Sequence, residues 1–258
     1  MTRIVFVIPL SLLLLTGCVT EVTGRQPMQE DTAEVARLNL EMGIEYFRQG
    51  DLRAAQVKLE KAVEDDPELV DAYTVLGLVY QQLGDAMGAE RSYRRAVALA
   101  PDDPDALNGL AVYLCRDPAT GVEALELFDR ALAIPMSQTF SNKAMLNTNA
   151  GTCAKRTDLS RAEDYLRAAL DTAPNYSDAL IQLADVAYQR SNYLQSRAFL
   201  QRYLAIAEAS APVLSLGMRL ESAMGNEAAA DEFAERLQQD FPESVETRLL
   251  LEQKRDAG

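Results

Sequence analysis

The chain has 258 residues, 48% of them apolar, with 13 glycines, 10 prolines and a formal charge of −14. That is enough apolar matter for a sizeable core, and the acid excess excludes a broad phosphate-binding surface, so no nucleic-acid partner is expected. No histidine is present, and the three cysteines form no C-x-x-C pair. Histidine-based nucleophile pairs, histidine zinc sites and thiolate knuckles are thereby excluded. No catalytic residue, metal ligand or small-molecule substrate is expected, and the chain reads as a non-enzyme.

In chain order, Arg3 precedes an apolar run from Ile4 to Leu15 that is too short to span a bilayer as a finished helix. It ends in Leu15-Thr16-Gly17-Cys18, which resembles the lipobox of bacterial lipoproteins. The resemblance implies residues 1–17 as a cleaved signal and a covalent lipid on Cys18, with no other cofactor. An ordinary secretory signal with an incidental cysteine is the competing reading. Acyl chains contribute about 0.8 kcal/mol per buried CH₂, so several together anchor a protein durably. Val19 stands where an aspartate would signal inner-membrane retention, so the implied address is the periplasmic face of the outer membrane. Residues 18–31, with Gly24 and Pro27, read as a tether of up to about 45 Å extended.

From residue 32 the pattern changes. Val70 to Asp103 places Tyr73, Leu76, Gly77, Tyr80, Gly84, Ala89, Tyr93, Ala96 and Pro101 at the spacings of a tetratricopeptide unit, a helix–turn–helix of about 34 residues. Gly77, Ala89 and Ala96 permit close helix approach, the tyrosines and Leu76 fill the space between helices, and Pro101 stops the second helix. Met42, Gly43, Tyr46, Ala55, Leu59, Ala62 and Pro67 give the preceding unit the same frame. One such unit cannot bury its own apolar face, so copies must stack. The expected fold is therefore all-α, a right-handed α-solenoid of about six tetratricopeptide repeats over residues 32–243. The units run about 36–69, 70–103, 104–136, 137–176, 177–210 and 211–243. Spacing slips in units three and four, and residues 244–258 read as a polar capping helix and tail.

Cys115 and Cys153 lie a little over one repeat apart, each read in the later half of a first helix. In an oxidising periplasm a disulfide stapling units three and four is the favoured reading, and a pair of buried free thiols is the other.

The lipobox, six units and this cysteine pair together resemble the type IV pilus biogenesis and stability lipoproteins, or pilotins (the PilF/PilW family). The carrying segments are LNLEMGIEYFRQGDLRAAQVKLEKAVEDDP, LNGLAVYLCRDP and NAGTCAKRTDLSRAEDYLRAALDTAP, followed by SNYLQSRAFLQRYLAI and LSLGMRLESAMGNEAAADEF. The resemblance implies an outer-membrane scaffold that binds the type IV pilus secretin and promotes its localisation and multimerisation. The alternative is another tetratricopeptide lipoprotein adaptor, serving tight-adherence (Flp) pilus assembly, β-barrel assembly or cell-wall hydrolase docking.

First helices line the inner wall of such a solenoid. The inward-facing residues of the first three are Arg37, Leu40, Ile44, Phe47 and Arg48, then Asp71, Thr74, Leu78, Gln81 and Gln82, then Asp105, Asn108, Val112, Cys115 and Arg116. Leu40, Ile44, Phe47 and Leu78, with Asn108 nearby, are expected to form an apolar strip with a polar rim that takes a partner segment. Cover by the N-terminal segment is the competing expectation.

Overall fold

Several turns among the described residues carry an acid or amide that the next helix uses. Asp51, Asp85, Asp103, Asn142 and Asp158 each accept a hydrogen bond from a backbone N–H two or three residues on, satisfying donors that a helix start leaves orphaned. In the computed structural model, which describes residues 32–135 and 142–257, these starts open an all-helical chain. The helices are α1 (Thr32–Arg48), α2 (Leu52–Asp65), α3 (Val70–Leu83), α4 (Ala86–Leu99), α5 (Pro104–Leu114), α6 (Gly121–Ala133) and α7 (Lys143–Ala154). They continue as α8 (Leu159–Thr172), α9 (Ser177–Gln189), α10 (Tyr193–Leu204), α11 (Ala211–Ala223), α12 (Glu227–Asp240) and α13 (Val245–Ala257). The signal, Cys18, the lipobox residues Leu15, Thr16 and Gly17, the tether and the first residues of unit four lie outside the described residues.

Helices pack as successive hairpins, α1 on α2 through α11 on α12, and each first helix also touches the next, from α1–α3 to α9–α11. The first helices therefore form one continuous wall. Two devices close five of the six hairpins. Gly50, Gly84 and Gly225 take left-handed backbone at φ 79°, 80° and 72°, and Ser191 takes it at 59° without being glycine. In unit three a 3-10 turn at Pro118–Thr120 replaces the left-handed residue, and the Thr120 hydroxyl donates to the Leu114 carbonyl. This turn accounts for the slipped spacing there. It also corrects the placement of one cysteine, because α5 ends at Leu114 and Cys115 caps it.

The core runs between the layers. Ala55, Leu59, Ala62, Leu76 and Val79 form a first cluster, and a larger one extends from Ala89 and Tyr93 to Leu220. Met42 departs from its expected internal role. Its equivalents immediately before the small residue of each later first helix, Leu76, Leu110, Ala150, Leu183 and Leu216, are all buried, whereas Met42 is 41% exposed. Leu38, four residues earlier on the same face, is 53% exposed, whereas its equivalents in α3, α5, α7 and α9 (Ala72, Ala106, Leu146 and Ala179) are buried and only Pro212 of α11 is exposed like it. In the later units the second helix of the preceding repeat supplies that cover, and among the described residues no helix precedes α1. At the other end α13 packs on α11 and α12, burying Thr247 and Leu250 while Val245 and Leu249 stay exposed.

Candidate functional site

The first three inner helices converge on one open groove of about 450 Å³, lined by Leu40 and Ile44 from α1, Asp71, Thr74, Val75, Leu78 and Gln81 from α3, and Asp105, Asn108, Gly109 and Val112 from α5, with Tyr93 and Asn149. Repeat geometry produces this surface. Asp71, Thr74, Leu78 and Gln81 recur at helical spacing along one face of α3, and Asp105, Asn108 and Val112 do the same one repeat later on α5. The groove thus has an apolar floor of Ile44, Leu78 and Val112 and an acidic lip at the amino-terminal ends of α3 and α5.

Four of the five expected groove residues, Leu40, Ile44, Leu78 and Asn108, share this wall. Leu40 is only 8% exposed and belongs as much to the first core cluster as to the floor, while Leu78 is 38% exposed. Phe47 is the exception. It lies near the carboxy-terminal end of α1, outside the groove lining, half-buried against that same cluster. Val75, Tyr93, Gly109 and Asn149 line the groove from outside the inward-facing set. Tyr93 reaches the groove past Gly77 and Gly109, where a Cβ would stand 2.8 Å and 3.2 Å from its ring. Asn149 enters because α7 continues the wall, and its side chain donates to Asn108 Oδ1 at 3.0 Å. It stands at the place that Gly109 holds on α5, one residue beyond the inward-facing position of Asn108, so the inward-facing set does not reach it.

The electrostatics are one-sided. Burial raises the Asp105 carboxyl above the usual range, and the negative charges of Asp103 and Asp71 add to the shift. Burial likewise drives the Tyr93 hydroxyl well above its ordinary value, with Arg116 opposing. Just beyond the groove, Cys115 and Cys153 are joined as a disulfide with Cα atoms 5.6 Å apart. Val112 and Asn149 continue from the groove to a smaller hollow beside it, which Arg116 and Arg156 border. Arg156 donates to the carbonyls of Cys115 and Arg116 at 3.0 and 2.9 Å, tying α7 to the end of α5. Among the described residues no group of three acidic or cysteine side chains is placed to hold a metal, and no helix is long and apolar enough to cross a membrane. The arrangement offers a shaped apolar and acidic surface.

Family models described as tetratricopeptide or TPR repeats match residues 43–84, 74–138 and 154–211. The type IV pilus assembly protein PilF of Pseudomonas aeruginosa is 24% identical over 235 residues, covering 90% of this chain and 91% of that protein. The crystal structure of PilW, described as a widely conserved type IV pilus biogenesis factor, superimposes with a TM-score of 0.78 at 29% identity, covering 84% of this chain and 99% of that one. The Pseudomonas aeruginosa PilF structure gives 0.73 at 22% identity, covering 86% and 99%. Sequence and architecture thus agree over nearly the whole length of these relatives, and the chain is a tetratricopeptide-repeat protein homologous to the type IV pilus biogenesis proteins PilF and PilW.

Proposed function

We propose that this chain is a lipid-anchored, non-enzymatic scaffold of type IV pilus biogenesis. In this reading it binds the secretin subunit on the periplasmic face of the outer membrane and promotes assembly of the secretin ring. The carrying observation is the groove across α1, α3 and α5, an apolar floor of Ile44, Leu78 and Val112 left open on a homologue of pilus biogenesis proteins. Partner segments dock on such surfaces by burying a few anchoring side chains. The lipid on Cys18 supplies the address and the solenoid supplies the grip.

Leu78→Glu tests the grip, because Leu78 is exposed enough to change without unfolding α3. Cells carrying it are expected to lose secretin multimers and surface pili while keeping normal levels of the protein. Full multimers and pili in that strain would refute the groove reading. Broad barrel or cell-wall defects with normal pili in a deletion strain would instead indicate another adaptor role. Cys18→Ala tests the anchor, and the variant is expected in the soluble periplasmic fraction. Its retention in the outer membrane would refute lipid attachment as the main tether.

A further inference from the structure

The groove's acidic lip specifies more about its ligand than the apolar floor does. Asp71 and Asp105 stand in the first turns of α3 and α5, at the same position of successive repeats. A first-turn acid favours its own helix through the dipole, but that role leaves the carboxylate charge without a partner. Neither side chain takes part in an ion pair among the described residues, and the charges acting on Asp105 are the negative ones of Asp103 and Asp71. Other acids of this chain are neutralised across units, such as Glu123 by Arg94 at 2.8 Å and Asp185 by Lys155 at 2.6 Å.

Along α3, Asp71 lies two turns before Leu78, about 10 Å, and Asp105 stands in the same relation to Val112. A ligand that covers the floor therefore presents its flank to two repelling carboxylates. Burying them unpaired would oppose binding, whereas a cation at that flank relieves the repulsion. We infer that the groove accepts an amphipathic helix whose apolar face covers Ile44, Leu78 and Val112 and whose flank carries lysine or arginine toward Asp71 and Asp105. This rests on the groove being the partner site, and it adds the partner's charge.

Three synthetic 18-residue amphipathic helices test it, with one leucine face and flanks of lysine, glutamine or glutamate. They are titrated against the full-length protein in detergent at low and high salt. Because the chain is strongly acidic overall, preference for the lysine helix is not decisive by itself. The decisive comparison sets Asp71→Asn with Asp105→Asn against a control that removes the same charge elsewhere, Asp178→Asn with Glu126→Gln. The groove pair is expected to weaken the lysine helix roughly five- to tenfold at low salt and to flatten its salt dependence, with the control near wild type. Equal weakening by both pairs, equal binding of the three helices, or no binding of any would overturn the inference. The groove reading has its own readout. Loss of secretin multimers in Leu78→Glu cells, with the asparagine pair without effect on the lysine helix, would leave the site standing and remove only its charge preference.

Discussion

Gly77 lies flat against Tyr93, and a Cβ at that position would stand 2.8 Å from the Tyr93 ring carbons. The tyrosine is 1% exposed, so the ring has no slack. Gly77→Ala is therefore expected to cost about 1–3 kcal/mol by overpacking, lowering the melting temperature by several degrees. Tyr93 also borders the groove, so the same change is expected to weaken ligand binding in the folded fraction. An unchanged melt would refute the close approach.

The bond between Cys115 and Cys153 closes a loop of 38 residues, for which chain entropy gives about 4 kcal/mol. Replacing both by serine, or reducing the wild type, is expected to lower the melt by about 10 °C. Mass spectrometry of the protein alkylated under denaturing, non-reducing conditions provides the independent check. Two labelled thiols would contradict the bond.

Ser191 occupies a left-handed turn that Gly50, Gly84 and Gly225 hold in other units. A non-glycine residue there costs about 1 kcal/mol, part of which Ser191→Gly returns against a floppier unfolded chain. The expected outcome is a melt raised by one to a few degrees, about 0.5 kcal/mol in chemical denaturation. A destabilised variant would mean that the serine side chain does more than tolerate the turn.

Two tyrosines bear on the alkaline limit. The Tyr80 hydroxyl is pushed up to about 12, first by burial and then by donating to the Glu60 carboxylate at 2.8 Å. Tyr165, which donates to Asp129, is likewise raised to about 12, first by burial. Both folded values exceed the unfolded value of about 10. Their contribution is therefore intact below pH 10 and is lost as pH rises from about 10 to 12. Melts across that window should fall less steeply in Tyr80→Phe, and absorbance at the phenolate band should show late titration in the wild type. Titration of every tyrosine near pH 10 would refute the shift.

Much of the repeat frame was legible because it depends on residues a fixed distance apart. Gly77 facing Tyr93 and the aspartate caps follow from local spacing and backbone chemistry. What sequence could not supply depends on neighbours. Met42 has the same type of side chain as Leu76, yet it is exposed because no described helix covers it. Phe47 has the pattern of a groove residue but lies outside the groove lining, half-buried against the first core cluster. Asn149 joins the wall from the place that Gly109 holds on α5, one residue off the inward-facing set. Glu221 was unreadable as a core acid, since its burial rests on Arg197 from another helix, with Asn226 donating at 3.1 Å.

The uncovered face of α1 has a kinetic side. In a linear array each unit is held by its neighbours, and α1 with α2 has a described neighbour on one side only. Their small core, with Leu59 and Leu76, is separate from the long cluster that begins at Ala89. Opening should therefore start at this end and run inward, with the bond between Cys115 and Cys153 acting as a stop beyond unit two. Leu40 and Ile44 lie on the side that opens, and Asn108 and Val112 lie near the stop. A segment held in the groove would then clamp the loose end to the fixed one, so amide exchange in α1 and α2 should slow on binding while α9 to α12 stay unchanged.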